Sequence, residues 1–342
     1  MPEITVVITT YNLESLIGNC LKELFNQTMQ DFNILIIDDG STDNTVLIIE
    51  DYKQMFNGRF QSFYLSSNLG SPAKTRNYAM NTGCIDGKYV LFLDGDDSIS
   101  PLFLEKLYKA AEENCAQIAL CSYKRVDIET GNILCKEMIG FPELIILPAA
   151  SDILPFINSS LWNKLIRTNL IENKRIPDFK VGEDLCFLHV LYSNCHYIAT
   201  VNEVLVDYHV RKNSIINNTE VDTIKLFADE LLRIYNESSN CKFKESIALT
   251  NFIHIGISMA MRANDNNDIN ISKHLKWTKN YFVTHYKMFQ YNEFLTFHNL
   301  RKMKGRGIAI WICKISYKIN IFRLVLFFYN IVKRIFNLDF KF

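Results

Sequence analysis

Tyr89-Val90-Leu91-Phe92-Leu93-Asp94-Gly95-Asp96-Asp97 is a run of large apolar residues that stops abruptly in three carboxylates. An apolar run of about five residues bounded by turn formers reads as a fully buried strand. In open α/β sheets, ligands lie beyond the carboxyl ends of the strands, so Asp94, Asp96 and Asp97 stand where a ligand would be held. Three such charges within four residues repel one another unless a cation joins them. A hard divalent ion with oxygen ligands is the natural candidate. The alternative is a strand ending in a polar turn, because aspartate is common in turns.

The residues before this stretch repeat its logic. Ile4–Thr10 is β-branched almost throughout and reads as a buried strand. It ends at Tyr11-Asn12, and apolar residues at helical spacing follow from Glu14 to Asn26. Phe32–Ile37 is a second strand, and it too ends in carboxylates, Asp38 and Asp39. The turn Gly40-Ser41-Thr42-Asp43 opens a helix over 44–56 with a capping-type sequence. A shorter strand over Phe60–Leu65, a loop from Asn68 to Pro72 and a helix over Ala73–Thr82, carrying Lys74 and Arg76, lead into the central strand. Strands alternating with helices imply a parallel sheet with right-handed crossovers. A dinucleotide-binding domain is excluded, since its fingerprint needs GxGxxG after the first strand and this chain has Thr9-Thr10-Tyr11-Asn12 there. One ligand lying across the strand ends could touch all of these termini.

Beyond the central strand, Pro101–Asn114 reads as an amphipathic helix and Ile118–Tyr123 as a strand, while 124–160 carries no clear period. Leu161–Ile166 reads as a strand or turn with one exposed lysine, Lys164. Lys180–Asp184 is a loop opening the helix Leu185–Asn194. Acids in a first turn are favoured by the helix dipole, so Glu183 and Asp184 have a purely local reading as well as a chemical one. Ile198–His209 is strand-like and runs into a polar turn, Val210–Ser214. Helices are expected over Val221–Glu237, Lys244–Arg262 and Lys273–Leu300, with no chemical motif among them. Histidines 254, 274, 285 and 298 have no metal-site spacing.

With 342 residues, 48% of them hydrophobic and 22% charged, the chain is globular and long enough for one large domain or two. Its formal net charge is zero, but residues 301–342 hold ten Lys or Arg against one acid, Asp339. The body is correspondingly acidic, and no nucleic acid is expected among its partners. Nine cysteines without a CxxC pair suggest reduced thiols in a cytosolic protein. Neither a signal peptide nor an uncharged apolar run of the roughly 18 residues needed to span a bilayer is expected. From Gly307 to Val332, short apolar-aromatic runs alternate with single cations. That is the composition of a helix lying in a membrane interface, attracted to anionic lipid. The alternative is a helix packed on the acidic body.

Seven segments, VVITTYN (6–12), IIDDGSTDNT (36–45), NLGSPAKTRN (68–77), FLDGDD (92–97), WNK (162–164), GED (182–184) and YHVRKNSI (208–215), occur in the order seen in inverting family 2 glycosyltransferases. The chain resembles the bacterial branch that builds capsules, O-antigens and related surface glycans. The resemblance covers residues 1 to about 216. It implies a GT-A, Rossmann-like α/β fold, a mostly parallel sheet flanked by helices, to which the sequence pattern adds a C-terminal helical region and an amphipathic basic tail. The implied organisation is a nucleotide-sugar half (1–100), an acceptor half (101–216), a helical extension (217–300) and the tail (301–342).

For the site, the resemblance implies a donor pocket of Thr9, Tyr11, Asp39, Arg76, Asp94, Arg211 and Ser214. Tyr11 would stack on the base, Asp39 would accept from uracil, and Asp38 would instead hold the loop. Arg76 would approach the base or the diphosphate, and Asp94 the ribose. Asp96, with His209 as a further candidate, would bind Mn²⁺ or Mg²⁺, while Asp97 would orient its neighbours or meet the sugar. Asp184 would be the general base, supported by Glu183, and Trp162 and Lys164 would face the acceptor, with a core tryptophan as the alternative for Trp162. The implied partners are a UDP-sugar, a lipid-linked glycan acceptor and an anionic membrane surface, on the cytoplasmic face of the cell membrane. No QxxRW motif follows GED, which implies one sugar per encounter, and inversion of an α-linked donor would give a β-linkage. Two other readings are a sugar nucleotidyltransferase, which would want a glycine-rich, basic signature after the first strand, and a non-catalytic nucleotide-sugar-binding scaffold, which would be favoured had Asp96 or Asp184 been lost.

Overall fold

The computed structural model describes residues 1–210, 220–266, 269–286, 292–301 and 304–336. The chain divides into two compact units, Met1–Leu147 with Asn158–Ser214, and Pro148–Ile157 with Ile215–Phe342.

The first unit is built on one sheet. Its strands are β1 (Ile4–Thr10), β2 (Phe32–Asp38), β3 (Phe60–Tyr64), β4 (Tyr89–Asp94), β5 (Ser98–Ile99), β6 (Ile118–Asp127), β7 (Ile133–Glu137), β8 (Leu144–Ile146), β9 (Lys164–Arg167) and β10 (Tyr197–Val210). The order is β3-β2-β1-β4-β9-β6-β10-β5, with β7 added to β6 and β8 to β10. β1, β2 and β4 bury nearly every residue, as parallel strands covered on both faces must. The helices α1 (Ile17–Phe25), α2 (Thr45–Lys53), α3 (Pro72–Asn81), α4 (Phe103–Glu113) and α5 (Glu183–Tyr192) connect and cover it. α1 buries Ile17, Cys20, Leu21 and Leu24 at helical spacing, and α4 packs on β6, β9 and β10.

Two features depart from the alternation read in the sequence. β9 runs antiparallel between β4 and β6, so the sheet is mixed; antiparallel pairing needs no crossover helix. β7 and β8 fall in the stretch that carries no period. β7 is exposed along most of its length, so nothing selects an apolar alternation there.

The second unit is helical. α6 (Val221–Glu237) is followed by α7 (Cys241–Asn251), which continues through a π-helical turn, Phe252–Met259, into α8 (Ala260–Asp265). α9 spans Ile271–Tyr286, and shorter segments lead to helices Lys304–Lys318 and Phe322–Phe336. Phe252 and Phe282 meet edge to face at 5.5 Å in this core. The last two helices are anchored by the buried residues Ile310, Cys313, Tyr317, Phe322 and Leu326, and the Tyr317 hydroxyl donates to the Gly256 carbonyl at 2.7 Å. Their outer surface carries Ile312, Leu324, Phe327, Phe328 and Ile331, all exposed. One face of these helices thus packs, and another is apolar and exposed. All nine cysteines are free thiols.

Candidate active site

Parallel pairing sets the strand termini side by side. β1 register places Thr9 between Ile37 of β2 and Asp94 of β4, and Thr10 beside Asp38. Asp38 is buried and turned inward. It accepts from the Thr10 hydroxyl at 2.9 Å and from the Ser41 amide and hydroxyl at 2.8 and 2.6 Å. It therefore braces the loop. Asp39 accepts from the Leu69 amide at 2.8 Å, and burial raises its pKa. Gly40 makes this approach possible. It lies at φ +74, and a Cβ there would fall 2.8 Å from the Ser67 carbonyl carbon. Tyr11 is 46% exposed at the rim.

Arg76 joins two parts of the site that are far apart in sequence. Only 4% exposed, it donates through one terminal nitrogen to Asp94 at 2.6 Å and through the other to Asp184 at 2.8 Å. Both ends of its guanidinium are engaged by carboxylates. Such planar, two-ended pairing is what arginine offers and lysine does not.

Asp184 and Glu183 open α5 behind Gly182, which adopts φ +90. Burial pushes the Glu183 pKa up to about 7, and neighbouring Asp184 adds to the shift. Burial also raises Asp184, against the lowering influence of Arg76. A carboxyl group shifted toward neutrality is suited to moving protons near physiological pH.

The acid turn meets β10 from the other side. The His209 amide donates to Asp97 Oδ1 at 3.3 Å, and the Asp97 amide donates to the Asp94 carbonyl at 3.2 Å. The His209 Nδ1 is buried without a hydrogen-bond partner among the described residues, and Asp96 is half-buried. No cluster of three or more His, Cys, Asp or Glu side chains fit to hold a metal occurs among the described residues. A cation on a diphosphate takes most ligands from phosphate and water and needs only one or two from the protein. Asp96 and the orphaned His209 nitrogen are the groups that would have to supply them. Arg211 and Ser214 lie outside the described residues.

The WNK segment departs from the sequence reading at its lysine. Lys164 is fully buried, not exposed; its ammonium donates to the carbonyls of Asn158 and Ser160 at 2.7 Å each and to Asn163 Oδ1 at 2.8 Å. Trp162 is buried too. Tyr208 stacks on its ring at 5.4 Å, and Tyr123 meets its edge. Both side chains are thus enclosed by neighbours of the first unit. Sequence reading also passed over Asn12. It adopts φ +52, donates its amide to the Ser41 hydroxyl at 2.8 Å and accepts from the Thr42 amide at 2.8 Å. Asparagine's tolerance of left-handed backbone is the signal that was available.

The family model for glycosyl transferase family 2 matches residues 5–166. That match takes in a little under half of the chain, and the fold is of the GT-A type. Relatives of the chain include glycosyltransferase GlyA of Streptococcus pneumoniae serotype 4, 28% identical over 223 residues, 62% of this chain and 31% of that protein. Cholesterol galactosyltransferase of Borreliella burgdorferi is 28% identical over 232 residues, 64% of this chain and 63% of that protein. The matched stretch is therefore under two thirds of the length of either relative. Among solved structures, Staphylococcus aureus TarS 1–349 in complex with UDP-GlcNAc superposes with a TM-score of 0.70 at 22% identity, covering 93% of this chain and 92% of that one. This is a likeness of fold.

Proposed function

We propose that the chain transfers one sugar from a UDP-sugar to a hydroxyl of a lipid-linked glycan precursor, with inversion. The observation that carries this reading is the Arg76 bridge, which sets Asp94 at the end of β4 and Asp184 at the start of α5 within the span of one guanidinium. A carboxylate for the donor and a base for the acceptor must lie this close for a single in-line displacement. In this reading Tyr11 and Asp39 hold the uracil, Thr9 and Asp94 the ribose side, and Arg211 and Ser214 complete the donor pocket. Asp184 takes the proton of the attacking hydroxyl, and Glu183 holds acceptor hydroxyls or supports the base. Asp96 and His209 would hold Mn²⁺ or Mg²⁺, which when bound neutralises charge on the departing diphosphate. The uridine choice is supported by the ligand of the TarS complex.

Membrane attachment is the second part of the proposal. No helix among the described residues is long and apolar enough to cross a membrane, so contact would be peripheral. It is supported by the exposed apolar face of Phe322–Phe336 and by the basic composition of residues 301–342. A relative named for a lipid acceptor is consistent with it.

Thermal shift and donor hydrolysis against a panel of nucleotide sugars, with Mn²⁺, Mg²⁺ or EDTA, test the reading. A metal-dependent response to one UDP-sugar, lost in Asp96→Asn, is expected. A folded protein that answers to no nucleotide sugar would refute it and favour the scaffold reading.

A further inference from the structure

We infer that Asn77 is a positioning residue for Asp184: it grips the backbone of the segment that leads into α5, while Arg76, its neighbour on α3, grips the carboxylate itself. The inference rests on the reading of Asp184 as the base.

Residues 171–182 lie in no helix or strand, so this stretch must find partners elsewhere for its buried backbone groups. At Ile176 it finds both in one side chain. The Asn77 amide nitrogen donates to the Ile176 carbonyl at 2.8 Å, and Asn77 Oδ1 accepts from the Ile176 amide at 2.9 Å. A carboxamide presents a donor and an acceptor side by side, as a strand edge does. Next along the chain, Asp178 accepts from the Ser71 hydroxyl at 3.2 Å and pairs with the Lys74 ammonium at 3.5 Å. Beyond it, Asp184 accepts from Arg76 at 2.8 Å. One helix and its capping residue thus hold the stretch 176–184 at three points.

That helix is a firm footing. α3 packs on β1 and β2 and buries Ala73, Thr75, Arg76, Asn77 and Ala79. Ser71 caps it, accepting from the Lys74 amide at 3.3 Å, and Pro72 stands in its first turn. The three grips are unequal. The Lys74 and Asp178 side chains are 42% and 43% exposed, and such a pair contributes little. Asn77 is 7% exposed, so water does not replace its bonds. Stability alone does not explain them, because the Ile176 side chain is fully buried and apolar packing already keeps the stretch on the protein. The two hydrogen bonds add register: they fix the height of the backbone against α3, and so the point from which Val181 and Gly182 carry the chain into α5. A base misplaced by about 1 Å costs about 10²-fold in rate.

The test uses the full chain with Asn77→Leu, which is of similar size and removes both hydrogen bonds, and Asn77→Asp, which keeps both only while its carboxyl is protonated. Burial against a carbonyl raises the pKa of such a carboxyl. Asn77→Asp should therefore behave as wild type at acid pH and as Asn77→Leu at alkaline pH. Hydrogen exchange follows the Ile176 amide, NMR the Arg76 guanidinium protons, and calorimetry the binding of UDP. In Asn77→Leu the Ile176 amide should exchange at least about tenfold faster. The Arg76 protons facing Asp184 should also exchange faster, while those facing Asp94 hold. UDP affinity should stay within about twofold of wild type, and where a UDP-sugar is turned over, kcat should fall at least about tenfold while the donor KM holds. Unmoved Arg76 protons in folded Asn77→Leu, or a kcat within about twofold of wild type, overturn the inference. So does a ratio of Asn77→Asp to wild-type kcat that is constant with pH. If Asn77→Leu does not fold, Asn77→Asp at acid and alkaline pH makes the same comparison in one molecule; unfolding of both variants would make Asn77 a determinant of the fold and overturn the inference. A wild-type protein that turns over no UDP-sugar would count against the proposed function, yet the Arg76 protons would still decide the role of Asn77.

Discussion

Replacing Arg76 with methionine keeps most of the side-chain volume and deletes the charge that holds Asp94 and Asp184 together. Removing one partner of a buried ion pair costs about 3–5 kcal/mol. Here the Arg76 side chain is 5% exposed, but the carboxylates are 30% and 17% exposed. Water therefore recovers part of the loss, and about 2–3 kcal/mol remains. For a domain this size, that lowers the melting temperature by about 4–10 °C. The loss should depend on pH. Burial already raises Asp184 above an exposed aspartate, and Arg76 opposes it. A group whose folded pKa is raised stabilises fully below its unfolded value, about 4, and loses that contribution as pH climbs through the folded value. Without Arg76 the folded value rises further, so the deficit against wild type should widen from about pH 4 upward. Trp162 reports on the first unit in a background with Trp277 and Trp311 replaced by phenylalanine, because these are the only three tryptophans. A melting temperature within about 1 °C of wild type, or a loss constant between pH 5 and 8, would refute the argument that the bridge is a buried, charged clamp.

Asp184→Asn should retain UDP binding within about threefold while transfer falls by about 10²–10⁴. In the wild type, rate should decline on the acid side at higher pH than an ordinary carboxylate would give, since the base must be deprotonated and its pKa is raised; full activity in the variant would move the base elsewhere. Phe327 and Phe328 are exposed, so Phe327→Glu with Phe328→Glu should leave the melting temperature unchanged and abolish co-sedimentation with vesicles of anionic phospholipid. Equal co-sedimentation would mean that this face does not carry the contact.

The order of elements in the first unit could be read locally. β1, β2 and β4 are apolar runs that end in Asn, Asp or Gly, and each helix between them shows its buried face in sequence, as α1 does with Leu21 and Leu24. Strand polarity followed from that alternation because crossovers obey a fixed hand. That Asp38 holds the loop was implied by the resemblance, and the Ser41 amide and hydroxyl three residues on make the contact. What escaped was whatever depends on partners far away in sequence. β9 is short, and its place between β4 and β6 is set by pairing with both. β7 is nearly all exposed, so no burial pattern marks it.

The motifs by themselves determined the fold class and the set of carboxylates, because strand periodicity and the acids at strand ends are properties of contiguous residues. Only the tertiary structure decided which of those charges face one another. Arg76 sits 18 residues from Asp94 and 108 from Asp184, and no local pattern encodes that it bridges these two carboxylates. Lys164 makes the same point: its sequence neighbours give an exposed cation, while the fold buries it against three oxygens. A charge is read from sequence as one residue, but its role depends on the dielectric and the partners around it, and those exist only once the chain has closed.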